Sequence, residues 1–185
     1  MRRTERRCPT VTRSLLLALC LAGIAAGCSR PAPAPAFVDY RDAEAGFSLR
    51  HPAGWQRQSA SGAGEVRFVP PGAESRAEFL AVFTVPSEGG RNESSIRRIV
   101  FALLPIHGVS GFQQDPRTTE EMLWFKFEVT GSSGGVEWAS VGLAAAGAAR
   151  TQVAVCAKPL ARWRDGQRQC DEIIRSFRPG PIGGP

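Results

Sequence analysis

Histidine, lysine and long apolar runs are all scarce in this 185-residue chain. The two histidines, His51 and His107, lie far apart in sequence and offer little to a histidine-based metal site or acid–base pair. Only Lys126 and Lys158 among the 23 basic residues are lysines, a bias that reads as genomic base composition and not as phosphate recognition. The apolar run Leu15 to Ile24 falls short of the roughly 20 residues a transmembrane helix needs. A serine hydrolase would want a Gly-x-Ser-x-Gly elbow between a strand and a helix, and Ser132-Ser133, within a glycine turn, has no such context.

What is present points to export. Five arginines (Arg2, Arg3, Arg6, Arg7, Arg13) against Glu5 precede the apolar run, the order of a secretory signal, and Ala25-Ala26-Gly27-Cys28 closes it. These residues resemble a bacterial lipobox. The resemblance implies diacylglyceryl transfer to the Cys28 sulfur, cleavage before it and acylation of the new amino group by a palmitate-like chain. Cys20 is the rival position, but Leu19 before it is bulky; the bland alternative is an uncleaved anchor. Residues 1–27 are therefore expected to be a signal peptide. Residues 28–36, whose Ser-Arg-Pro-Ala-Pro-Ala-Pro-Ala stretch favours extended backbone, are expected to be a tether. Ser29 after the cysteine would direct a two-membrane host to the outer membrane.

Processing changes the charge and the cysteine count. Without the signal the chain carries 18 bases against 16 acids, a formal +2, so the high pI is no argument for nucleic acid. Cys8 and Cys20 leave with the signal, Cys28 takes lipid, and Cys156 and Cys170 remain as an even pair in an oxidising compartment, where a disulfide is expected. Two buried thiols are the alternative. No metal or cofactor is expected.

The folded part, 37–178, is of single-domain length. Strands are expected at Phe37–Tyr40, Phe47–Arg50, Glu65–Val69 and Leu123–Val129, where apolar and polar residues alternate, and in Val136–Leu143 and Thr151–Cys156. Phe79–Val85 is apolar on both faces and belongs at a sheet centre covered on both sides. Ile96, Ile99, Val100, Leu103 and Leu104 fall at helical spacing after a cap at Asn92 or Ser94, and Pro105 ends that helix. A closing helix, roughly Leu160 to Phe177, carries Trp163, Cys170, Ile173, Ile174 and Phe177 on one face, with Gly166 as a candidate break. The tail 179–185 is expected to be disordered. The fold class is α+β: an antiparallel sheet of about six strands flanked by helices.

Gly46-Phe47-Ser48-Leu49-Arg50-His51-Pro52-Ala53-Gly54-Trp55 resembles the early strand and turn of PsbP-like domains. Ile173-Ile174-Arg175-Ser176-Phe177 resembles their closing helix end. The resemblance implies an α/β/α sandwich in a group of binding and assembly factors that includes DcrB-like envelope lipoproteins, and hence a non-enzymatic role.

Among candidate sites, His51 and His107 read as surface-turn residues, Ser132-Ser133 as part of a glycine turn, and Glu120-Glu121 and Asp171-Glu172 as solvated charges. Arg162, Arg164, Arg168, Arg175 and Arg178 form the densest basic run, either a solvated helix face or a contact for anionic lipid headgroups. Trp124 and Trp138, across a hairpin from each other, are a candidate apolar surface for a protein partner. The functional expectation is a non-catalytic, lipid-anchored extracytoplasmic binding or assembly module of the bacterial cell envelope, with an envelope protein as partner. The alternatives are a small-ligand carrier using the sheet face and an envelope hydrolase.

Overall fold

Alternation and caps place most elements of the chain. The computed structural model describes residues 36–180, except 59–61, 63, 73–76 and 88–90. The expected signal peptide, Cys28, the tether up to residue 35 and tail residues 181–185 lie outside the described residues. In chain order the strands are β1 (Phe37–Asp42), β2 (Phe47–Pro52), β3 (Gln56–Gln58), β4 (Glu65–Val69) and β5 (Phe79–Pro86). Helix α1 (Glu93–Leu103) follows, then β6 (Ile106–Gln114), β7 (Leu123–Ser133), β8 (Val136–Ala146) and β9 (Arg150–Pro159). A 3₁₀ turn (Leu160–Arg162) leads into α2 (Trp163–Ser176), and β10 (Arg178–Pro179) closes the fold.

One antiparallel sheet of seven strands runs β3-β4-β5-β9-β8-β7-β6, and a second of three runs β1-β2-β10. The α+β sandwich read from the sequence is what forms. The strand count exceeds the expected number of about six because β3 is short and wholly exposed, because β6, expected only as a loop or short strand around Phe112, carries two register shifts, between Ile106 and Gly108 and between Val109 and Gly111, that break its alternation, and because the two-residue β10 forms where the tail was expected to begin.

Each face of the large sheet holds its own core. On one side Leu80, Val82, Trp124, Val141, Leu143 and Cys156 pack against Cys170, Ile173 and Ile174 of α2, Phe177 after it, and Phe47 and Leu49 of β2. On the other, Phe79, Phe83, Phe125, Phe127, Val153 and Val155 pack against Ile96 and Val100 of α1 and Leu104. β5, apolar on both faces, therefore feeds both layers, as a centrally placed strand must. Asn92 caps α1 by accepting the Ser95 N–H at 2.9 Å.

Glycines set three local outcomes. Gly134 and Gly135, with φ of 60° and 78°, form the two-residue turn of the β7–β8 hairpin, so β7 runs on through Ser132 and Ser133 instead of ending in a five-residue turn. Gly131 lies opposite Trp138 in this hairpin, and a Cβ there would enter the indole and meet the Pro105 carbonyl. Gly166 does not break α2, because the aliphatic chain of Lys158 fills the space a side chain would take. The tail also starts later than expected: Arg178 and Pro179 pair with Ser48 and Phe47, and the Gly180 N–H donates to Gly46 O at 2.6 Å.

Candidate functional site: an arginine-lined groove

The closing helix and the three-stranded sheet enclose an open cleft of about 1160 Å³. Its first wall follows from helical spacing: Arg164, Arg168, Asp171, Glu172 and Arg175 recur at intervals that place them on one face of α2. Its second wall follows from strand pairing. Asp39 lies opposite Arg50 and Arg41 opposite Ser48, so all four point away from the core, while their neighbours Tyr40 and Leu49 turn toward it. The backbone N–H of Arg50 donates to Ser176 Oγ at 2.8 Å and its guanidinium reaches Glu172 at 3.2 Å, stitching strand to helix.

Six arginines, 41, 50, 164, 168, 175 and 178, line the groove against Asp39, Asp171 and Glu172. Two of those acids are already engaged, Glu172 by Arg50 and Asp171 by Lys126 at 3.6 Å. Arg178 donates to the carbonyls of Arg175 and Phe177. Arg41, Arg164, Arg168 and Arg175 have no side-chain partner among the described residues and stand exposed. At the lower edge of β1, burial first and then the hydrogen bond it donates to Asp42 push the Tyr40 hydroxyl above its ordinary range. The Ala45 N–H holds the Asp42 carboxyl below its own.

Several expected site residues lie elsewhere. Arg162, fifth member of the basic run, leaves the groove to bind Glu78 at 2.6 Å, beside Lys158 at 2.7 Å from the same carboxylate. His51 is buried, not on a surface turn: its ring stacks on Phe68 at 4.3 Å and its Nδ1 lies 2.9 Å from Pro52 O. Its neighbours are aromatic, with no serine or carboxylate hydrogen-bonded to it among the described residues. His107 is exposed on β6. Cys156 and Cys170 form the expected disulfide, Cα atoms 5.3 Å apart, joining β9 to α2 under the groove.

The proposed tryptophan patch does not exist. Trp124 and Trp138 are 8% and 0% exposed and lie on opposite faces of the sheet. Trp124 packs edge-on to Phe177 beneath α2 with Arg117 over its ring, whereas Trp138 takes the parity of its partner Gly131 and faces Phe79. The sheet face suggested for a small ligand is likewise filled wherever it is apolar; the open part near β6 and β7 is polar, carrying Gln113, Lys126 and Glu128. Sequence reasoning missed Arg41 and Arg50 as the wall facing the helix arginines, since the bonds that hold Arg50 to α2 span more than 120 residues.

No family model and no curated protein matches the chain. Among solved structures, the cyanobacterial PsbP (CyanoP) from Synechocystis superposes with a TM-score of 0.56 at 15% identity, covering 83% of this chain and 98% of that one. The fold is PsbP-like. A crystal structure from Bacteroides thetaiotaomicron also matches this PsbP-like domain, with a TM-score of 0.50 at 12% identity, over 79% of the chain and about half (49%) of the Bacteroides chain. At these identities the likeness concerns architecture, and the groove has to be read from its own residues.

Proposed function

We propose that the protein is a lipid-anchored, extracytoplasmic binding or assembly module of the bacterial cell envelope, held by Cys28 and acting without catalysis. The observation that carries this reading is the groove. It is wide, open and lined by guanidinium groups, which recognise anions. The Cys156–Cys170 disulfide supports a place outside the cytoplasm, where such bonds persist. The Pro/Ala tether ends at the groove's own wall: Ala36 O accepts the Ala53 N–H at 2.8 Å and the next residue begins β1.

The anchor is tested by feeding cells an alkyne fatty acid. Label on the wild-type protein and none on Cys28→Ser is expected; label that survives the substitution sinks the assignment. Crosslinking in intact cells, followed by mass spectrometry, tests the module: a dominant envelope protein is expected, and its absence rejects protein assembly as the role.

A further inference from the structure

The groove holds more cationic groups than its own carboxylates engage. With Glu172 and Asp171 occupied by Arg50 and Lys126, four unpaired guanidinium groups face one free acid, Asp39. Guanidinium forks match the paired oxygens of phosphate, and the Ser48 hydroxyl and Gln167 amide supply neutral donors between them. The polar part of the lining is dominated by guanidinium groups, with Tyr40 and Leu49 supplying apolar surface between the walls. We infer that this groove binds phosphoryl oxygens, specifically the phosphate of an anionic phospholipid headgroup in the bilayer to which the domain is tethered.

The choice of a headgroup over another phosphate source comes from where the tether joins. Residues 29–36 are eight, spanning roughly 25 Å if extended at about 3.1 Å per residue. They lead directly into the strand that carries Asp39 and Arg41, and Arg50 sits 5.5 Å over the ring of Phe37, the first residue of that strand. The groove is thus held at high effective concentration to the membrane surface, which favours even modest individual contacts. The inference rests on the proposed anchoring only for this local concentration; the chemistry of the groove stands apart from it.

The test uses the chain from Ser29 onward, which contains every described element, both cores and the disulfide but no lipid, so its outcome does not depend on Cys28. Co-sedimentation with neutral phosphatidylcholine vesicles is compared with vesicles containing phosphatidylglycerol. Preference for the anionic vesicles is expected. Arg164→Gln with Arg168→Gln should weaken it about 25-fold, at roughly fivefold per arginine near an anionic surface, and Asp39→Asn should strengthen it. Arg98→Gln, exposed on α1 of the opposite layer, should leave it unchanged. Equal binding to both vesicle types, or an Arg98→Gln loss as large as a single groove substitution, would overturn the proposal. Binding of inorganic phosphate by calorimetry without vesicle binding would overturn the headgroup assignment in favour of a soluble phosphate. Thermal melts of each variant separate misfolding from lost binding, and failure here leaves the fatty-acid label at Cys28 standing.

Discussion

Replacing Gly131 by alanine sets two opposed effects against each other. A glycine inside a strand costs roughly 0.5–1 kcal/mol relative to alanine, so backbone entropy alone predicts a stabilised variant. The structure predicts the reverse. The new methyl would lie inside the Trp138 indole and against the Pro105 carbonyl, and neither can yield cheaply: Trp138 is fully buried, wedged edge-on to Phe79 at 6.0 Å. With both contacts rigid the cost belongs to the upper part of the overpacking range, about 2–3 kcal/mol, leaving a net loss of about 1–2.5 kcal/mol, or on the order of 3–8 °C in Tm for a domain of this size. Thermal and urea unfolding followed by tryptophan fluorescence would measure it. Gly54→Ala is the control, because its Cβ meets nothing and its φ is not positive, so no loss is expected. Trp138 Nε1 has no acceptor among the described residues, so Trp138→Phe sacrifices no hydrogen bond and should partly rescue Gly131→Ala. A Gly131→Ala protein as stable as the parent would refute the packing argument.

Two further outcomes concern stability. Replacing Cys156 and Cys170 together by alanine should cost about 3 kcal/mol for a 15-residue loop, read as a fall in the urea midpoint; thiol counting of the unreduced parent should find neither cysteine reactive. Asp115 is held below the ordinary carboxylate range first by the Arg117 guanidinium, and Asp42 by the Ala45 N–H. With folded-state pKa values lowered, their stabilisation is complete above the unfolded value of about 3.9 and is lost as pH falls through the folded values. Tm should hold from pH 7 to about 5 and drop below about 4; Asp42→Asn with Asp115→Asn should flatten that acid limb, and an unchanged slope would reject these two carboxylates as its source.

Much of the architecture was legible because its determinants are local. Asn92 and the apolar stripe of α1, the two apolar faces of β5, the even cysteine pair and the glycine turn between β7 and β8 each announce themselves within a few residues. The misreadings came from non-local facts. Trp138 was paired with Trp124 because both are aromatic and lie across one hairpin, yet the two-glycine turn fixes the register at Gly131–Trp138 and puts the rings on opposite faces. Gly166 looked like a helix break until Lys158, from a different strand, is seen to occupy its empty side. The arginines of α2 read as a solvated helix face or a lipid-headgroup contact, and not as one wall of a groove, because the strand arginines that complete it are more than 100 residues away.

The small sheet has a mechanical meaning. β1 and β10 both run antiparallel to β2 and so are parallel to each other, with the chain arriving beside Pro52 and leaving past Phe47 and Gly46. Tension between the amino-terminal and carboxyl ends therefore pulls the outer strands in opposite directions along β2. That load is borne in shear by both ladders at once and does not peel bonds away singly. Were the domain held at its amino-terminal end, as the proposed anchor would hold it, and strained at the other, it should let go of its last strand before its first, since β10 pairs over two residues and β1 over six.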